Sequence, residues 1–542
     1  MAFFTVLDYV VLGLVLCTSA GIGIYYRFSG GKQKTTQEYL LGSRSQGVVP
    51  VAFSIMASFM SAITLLGTSA ETYSHGLAFA AIQLAHIACV PIITNIYMPV
   101  FFNLGYVSVY EYVEKRFGVA TRFACSLIFI MQIVLYMGVA LYAPALALDA
   151  VSGISQTTAI LVIGLVCVFY STIGGIKAVI MTDVFQSILM YAALFCVIGV
   201  TLVNANGVSD VWRVAERTGR INMWNFNPDP TERHSVFALF IGGTFMCVSL
   251  FGVNQIQVQR YLTTKNLKAA SRSLWVALPL LCLLSLLACF CGLCLLYKYH
   301  DCDPVSTGRV KSNDQLLPLF VLDTMGAYPG LPGLFVAGIF SAALSTISGA
   351  INSLAAVTLE DYIRLLHSYL TSDIIHHSRS VILTKLLALM YGGICIGVAF
   401  LSQYLGSVLQ AALTIFGMVG GPLLAVFTLG VLVPLCNEKG ALTGLLAGIL
   451  FSTIGEDHSE YHYLFRISYL YYSVLGFAVT FLFAIAVSCF TEKNTRLDPA
   501  LYSPCMSKHL QKKRDARSKF ESTNGDHLKM EFNPTATECT LN

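Results

Sequence analysis

The chain has 542 residues, of which 56% are hydrophobic and only 11% are charged. Soluble domains carry about 25% charged residues, so the composition excludes an ordinary water-soluble protein and points to an all-α polytopic membrane protein. A formal net charge of +4 is too small to suggest a nucleic-acid partner.

Requiring about 20 apolar residues per crossing gives about thirteen transmembrane spans. They fall near 6–26, 48–72, 77–104, 121–148, 156–175, 182–204, 235–259, 274–298, 331–358, 380–402, 406–433, 438–455 and 466–490. The first begins near Val6 with no basic residue before it and no cleavage site, so it reads as a retained helix rather than a signal peptide. Lysine and arginine set the orientation. Arg27, Lys32, Lys34 and Arg44 follow span one, and alternate later loops carry Lys115 and Arg116, Lys177, Lys265 and Lys268, Arg364 and Arg379, and Lys439. With thirteen spans all of these share one side. That side is expected to be cytoplasmic, with the N-terminus outside and the C-terminus inside. Residues 1–490 then form one transmembrane domain. Residues 491–542 form a polar, basic cytoplasmic tail expected to be disordered, whose cluster Lys508–Lys519 suits either a positive-inside flank or anionic lipid.

Span two carries Ser54, Ser58, Ser61, Thr64 and Gly67; span seven opens on Gly242-Gly-Thr and ends in Gly252-Val-Asn-Gln. Two Gly/Ser-interrupted spans at corresponding places suggest two five-helix halves, about 48–204 and 235–433. Such interruptions mark the midplane site of a transporter. Asp183, at the start of span six, reads equally as a helix cap beside Thr182 or as a functional acid at membrane depth. The sixteen cysteines are no disulfide scaffold: Cys17, Cys89, Cys167 and Cys395 lie in apolar runs as small hydrophobes. Cys289, Cys291 and Cys294 fall short of the four ligands of a zinc site.

The most polar stretch within a span is Gly338-Ile-Phe-Ser-Ala-Ala-Leu-Ser-Thr-Ile-Ser-Gly-Ala-Ile-Asn-Ser353. On a helix Ser341, Ser345, Ser348 and Asn352 share one face, and the adjacent Ser345 and Thr346 can both point into one gap between helices. On spacing alone this stripe fits close helix packing or an oxygen-lined cation site. Glu456-Asp-His-Ser-Glu-Tyr-His462 reads as an outer loop before a divalent-ion site, and His376-His377 as plain loop. No Walker motif, His-Glu-x-x-His or nucleophile elbow occurs, so no enzyme and no cofactor are expected.

The Gly338–Ser353 stretch resembles the signature helix of the sodium:solute symporter family. So do Gly174-Gly-Ile-Lys-Ala-Val-Ile-Met-Thr-Asp-Val-Phe-Gln186, Gly252-Val-Asn-Gln-Ile-Gln-Val-Gln-Arg-Tyr261, Tyr328-Pro-Gly-Leu-Pro-Gly333 and Phe416-Gly-Met-Val-Gly-Gly-Pro422. The resemblance runs over residues 5–490 and is strongest to the branch of sodium-coupled monocarboxylate, iodide and multivitamin carriers, and within it to the monocarboxylate members. It implies the leucine-transporter-type 5+5 inverted repeat, with a broken first helix in each repeat. It further implies a sodium site from Ala57, Met60, Ala342, Ser345 and Thr346. A second sodium would take Ser58, Asp183, Gln186 and Gln255, and a substrate pocket would take Ser61, Thr64 and Tyr136. Thr64 and Ala412 stand where iodide carriers have glutamine and serine, which favours a monocarboxylate such as lactate, pyruvate, nicotinate or a short-chain fatty acid. Cys247 stands where close relatives place tryptophan, which would open the pocket. The implied function is sodium-coupled import of a small organic anion across the plasma membrane; alternatives are a multivitamin or iodide-type carrier, or a sodium- or ligand-responsive sensor of the same fold. The partners are sodium, that anion and the bilayer.

Overall fold

An apolar run in lipid must pair its own backbone N–H and C=O groups, and a helix does so within one segment. The computed structural model describes residues 4–28, 36–371, 375, 377–404, 408–454, 467–491 and 498–512. Its principal helices are α1 (Val6–Phe28), α2 (Val48–Phe59), α3 (Ala62–His75), α4 (Leu77–Leu104), α5 (Val119–Ser152), α6 (Gln156–Asn204) and α7 (Ala238–Val253). They continue with α8 (Gln255–Tyr261), α9 (Leu267–Tyr299), α10 (Leu331–Thr358), α11 (His377–Leu401), α12 (Val408–Leu432), α13 (Glu438–Ile454) and α14 (Tyr472–Phe490). The run Glu456–His462, His376 and the basic residues beyond Lys512 lie outside the described residues.

Among the described residues nine helices are long and apolar enough to cross a membrane, or eleven if each bent pair counts once. The expected thirteen exceeds this by two, and two features lie in the difference. Gly175 adopts φ 64°, ψ −174° inside the 49-residue α6, where only glycine sits without strain, so one counted helix holds two expected spans. α13 is apolar but only 17 residues long.

The two bent pairs are α2/α3, at 58°, and α7/α8, at 56°. Each opens one of the two expected repeats. In the first, Met60 leaves the helical region at ψ 86° and the chain restarts at Ser61. In the second, Asn254 turns to ψ 129° and its side-chain oxygen accepts from Ile256 N at 2.9 Å, which restarts the helix.

α10 is the most enclosed of the long apolar spans among the described residues: 94% of its most apolar stretch is buried, against 28% for α1 and for α14. Small residues make this possible, since a Cβ on Gly338 would collide with Ala193 of α6. Its N-terminus is anchored by α1. Asp8, only 1% exposed, accepts from Gly330 N at 3.0 Å and Gly333 N at 2.8 Å through one oxygen. Through the other it accepts from Thr5 N at 2.8 Å and Thr5 Oγ1 at 2.7 Å.

On the opposite end of the bundle, Arg116 donates to the carbonyls of Gly430, in the last turn of α12, and of Val433 and Cys436 just beyond it. The segment 498–503 docks there. Tyr112 donates to Leu501 O at 3.1 Å, Ser503 N donates to Val431 O at 3.0 Å, and the Arg116 guanidinium lies 5.0 Å from the Tyr502 ring centroid. The expectation of a disordered tail from 491 onward therefore does not hold for residues 498–512. Leu501 and Tyr502 bury apolar surface there that a mean over the polar tail conceals.

Asp8→Ala leaves four donors without their acceptor. It is expected to destabilise the folded chain by about 1–3 kcal/mol, read as a lower melting temperature in detergent; an unaltered melting curve contradicts this role.

Candidate cation and substrate site

The break between α2 and α3 rearranges the local hydrogen bonds. Met60 N still donates to Met56 O at 2.9 Å, but Ser61 N donates to Phe59 O, and both Thr64 N and Leu65 N donate to Ser61 O. Among the described residues no backbone N–H then reaches the carbonyls of Ala57 or Met60, which are 0% and 1% exposed. Buried carbonyls are costly to leave unpaired. α10 faces this gap. Thr346 Oγ1 donates to Ala342 O at 3.0 Å and lies 3.5 Å from Ser58 O across the break. The structure thus sets Thr346, bonded to Ala342 O, against Ser58 O at the break, the residue next to Ala57 and two before Met60.

Ser345 makes a different contact. Its hydroxyl donates to Asp183 Oδ1 at 2.5 Å, while Ser54 donates to Asp183 Oδ2 at 2.5 Å. Arg260, fully buried, completes the cluster: Nη2 is 3.3 Å from Asp183 Oδ2, Nε donates to Ser54 at 2.9 Å, and Nη1 donates to Ile256 O at 2.9 Å. Asp183 is therefore no helix cap but half of a buried ion pair in the middle of the bundle. Room for the guanidinium comes from Gly349 of α10, where a Cβ would run into it. Sequence reasoning passed over Arg260. The signal was an arginine in a long segment otherwise without charge, since a buried charge demands a partner.

Of the residues assigned to a second cation, Ser58 and Gln186 are buried. Neither amide atom of Gln186 has a hydrogen-bond partner among the described residues. Gln255 needs correction. Its amide clamps the 107–109 turn, accepting from Val109 N at 2.9 Å and donating to Val107 O at 2.7 Å. The side chain at Ser58 is Gln257, which donates to Ser58 Oγ at 2.9 Å and to Ile55 O at 3.3 Å. Once Asn254 restarts the helix, residues two apart point to nearly opposite faces, so 257 faces the break and 255 faces away.

Beside the break lies a cavity of about 70 Å³. Ser58, Ser61, Thr64, Tyr136, Asn254, Gln257 and Ala412 line it together with Phe59, Met246 and Phe416, and none of its lining residues is charged. The Ser61 hydroxyl makes no cap bond to α3 and has no partner at hydrogen-bond geometry among the described residues, with Tyr136 the polar side chain beside it. The Tyr136 ring packs on Phe416 at 4.5 Å. Cys247 is corrected as well: it is fully buried beside Cys89, and its neighbour Met246 faces the cavity. A small side chain at 247 therefore does not widen the pocket.

Two paired broken helices around one shared cavity define a secondary transporter of the inverted-repeat type. The sequence profile of the sodium:solute symporter family matches residues 39–448. A Drosophila melanogaster protein provisionally named a sodium-dependent multivitamin transporter is 51% identical over 511 residues, covering 88% of this chain and 85% of its own. Human sodium-coupled monocarboxylate transporter 1 is 47% identical over 449 residues, covering 83% and 73%. Among solved structures, a Na+-coupled sialic acid symporter in a substrate-bound outward-open state superposes with a TM-score of 0.80 at 25% identity. It covers 91% of this chain and all of its own. The nucleobase-cation symporter Mhp1 shares the fold at a TM-score of 0.55 and 14% identity, covering 85% of this chain and 94% of its own. The chain belongs to the sodium:solute symporter family and is a multi-pass, sodium-coupled symporter.

Gly349→Ala is expected to displace Arg260 from Asp183 and cost about 3–5 kcal/mol, seen as loss of folded protein at the cell surface. Gly13→Ala, where a Cβ meets nothing within 4 Å, serves as the control and should be neutral. Equal surface levels for the two would refute the packing argument.

Proposed function

We propose that this symporter imports a small monocarboxylate, of the class of lactate, pyruvate, nicotinate or a short-chain fatty acid, together with sodium across the plasma membrane. The observation that carries the reading is the α2/α3 break itself. Its α2 side offers the unpaired carbonyls of Ala57 and Met60, which suit a hard monovalent cation. Its α3 side offers the N–H groups of Ala62 and Ile63 and the Ser61 hydroxyl, none of which has a hydrogen-bond partner among the described residues, and these suit an anion without a basic side chain. Names of the relatives divide between monocarboxylates and multivitamins. A cavity of about 70 Å³ favours the smaller class, since one water needs about 10–15 Å³ on this scale.

In this reading Ala57, Met60, Ala342 and Thr346 hold the sodium ion, and Ser345 joins them through the lone pairs left after it donates to Asp183. Asp183 and Gln186 serve a second sodium, with Gln257 replacing Gln255 beside Ser58. Ser61, Thr64, Tyr136 and Ala412 contact the solute. The N-terminus is outside and the C-terminus inside, as the lysine and arginine bias implies. Sodium occupies the break from outside, relieves the unpaired carbonyls and firms up the wall of the cavity. Occupation by both ligands favours closure of the outer path, and release follows into low cytosolic sodium. Two sodium ions with one monoanion, under a tenfold gradient and about 100 mV, supply roughly 5 kcal/mol, enough for several-thousandfold accumulation.

Uptake of labelled lactate and nicotinate in sodium and in choline medium tests the reading; sodium-dependent current without accumulation would instead identify a sensor. In the transporting chain, Ser345→Ala with Thr346→Ala is expected to raise the sodium concentration for half-maximal uptake at least tenfold, and an unmoved sodium curve counts against the site. Thr64→Gln is expected to raise the ratio of iodide to lactate uptake, measured side by side. A constant ratio removes Thr64 from the solute contacts.

A further inference from the structure

On the side assigned to the exterior, α3 and α12 close over the cavity. A Cβ on Gly67 would lie 2.6 Å from Leu409 Cβ, and Leu409 lines the cavity. One helical turn further out, Glu71 receives a two-pronged guanidinium from Arg233 in the loop before α7. Nε donates to Oε1 at 2.6 Å and Nη2 donates to Oε2 at 3.2 Å. The third nitrogen, Nη1, lies 3.5 Å from Gln410 Oε1 of α12. From the other side the segment before α14 supports the fork: Ser468 Oγ donates to Arg233 O at 2.9 Å, and the guanidinium carbon lies 5.3 Å from the Tyr469 ring centroid. Two histidines flank the carboxylate. His75 Nδ1 is 3.4 Å and His234 Nε2 is 3.2 Å from Glu71 Oε1, and His234 also meets the Tyr469 hydroxyl at 3.0 Å. Burial pushes the His234 imidazole down to about 4, against the pull of Glu71. It is a neutral partner near pH 7, and Arg233 is the permanent cation of the seam.

The pair is lopsided in exposure: the Arg233 side chain is 33% accessible and that of Glu71 only 7%. The guanidinium faces outward while the carboxylate is tucked in. Below it, the cavity offers no cationic side chain among its lining residues. A carboxylate entering by this path therefore meets Arg233 before a chamber of neutral groups. A guanidinium fork binds one carboxylate much as it binds another, so exchange of Glu71 for a solute carboxylate keeps the charge paired throughout.

We propose that Arg233 is an anion-capture site at the outer mouth, holding Glu71 while the path is shut and the carboxylate of the incoming solute while it is open. This rests on the carboxylate reading above and adds a binding step outside the cavity. Glu71 is then both the seal and the competitor of the solute.

The test uses the full chain in cells, normalised to surface amount, with labelled lactate as probe. Arg233→Gln is expected to raise the KM for lactate about tenfold, the loss of one charge-assisted pair. Glu71→Gln is expected to lower it severalfold, because the capture site is no longer occupied. Arg233→Lys, which keeps the charge but not the fork, should fall between wild type and Arg233→Gln. Half-saturation by sodium should stay put in all three. A second arm reads the seal without any solute: with Leu413→Cys in a Cys302→Ser background, a membrane-impermeant thiol reagent should label the cavity faster once either Glu71→Gln or Arg233→Gln is added. A latch with no capture role would shift the two KM values in the same direction, and that result overturns the proposal. So would labelling rates that neither substitution changes. If the unmodified chain takes up no lactate in sodium, the carboxylate reading falls separately, and the labelling arm still decides whether Glu71 and Arg233 form the seal.

Discussion

A helix interrupted inside a membrane presents opposite partial charges at one point, and the rest of this molecule is arranged around that fact. At the α2 end the carbonyls of Ala57 and Met60 lose their N–H partners; at the α3 end the N–H groups of Ala62 and Ile63 have no acceptor among the described residues. Water would satisfy both in a soluble protein. In a low-dielectric interior such groups are costly to leave unpaired. One break thus creates a demand for a cation and a demand for an anion within a few ångströms, which is the minimal physical basis for coupling the two.

The surroundings keep the break in place. α10 supplies Thr346 and the Ala342 carbonyl opposite it, and α10 is held at its start by Asp8 of α1. One helical turn along, the ion pair of Asp183 and Arg260 ties α6, α8 and α10 together, with Ser54 drawing in α2. This pair is expensive to bury and more expensive to break, so it fixes the relative position of the helices instead of adding much to their stability. Gly349 leaves room for the Arg260 guanidinium, and Gly338 lets α10 approach α6 closely. Paired bends of 58° and 56° place the second interrupted helix beside the first, so that Asn254 and Gln257 help line the same cavity.

Much of this was legible in the sequence. Long apolar runs gave helices, the clustered hydroxyls of Ser341–Ser353 marked the enclosed one, and Gly/Ser interruptions marked the two breaks. Tertiary direction was not legible. Gln255 and Gln257 are equivalent candidates on paper, and only the restart at Asn254 decides which faces Ser58. Cys247 and Met246 differ by one position, about 100° of helix rotation, and the cavity takes the second. Asp183 read equally well as a cap or as a functional acid because its partner, Arg260, lies 77 residues away. The docking of Leu501 and Tyr502 was hidden in a segment whose average is polar. Each miss concerns a long-range partner or a rotation about a helix axis, which local pattern does not encode.

The central claim is that oxygens freed by the break, closed off by α10, hold sodium. Equilibrium binding of radioactive sodium to the purified chain in choline buffer tests it most directly. Saturable binding should be present in the unmodified chain, be weakened in Thr346→Ala, where the residues proposed for the second sodium remain, and be unchanged in Tyr136→Phe, which alters only the cavity wall. Binding that persists undiminished in Thr346→Ala, or that is absent from the unmodified chain, would contradict the account.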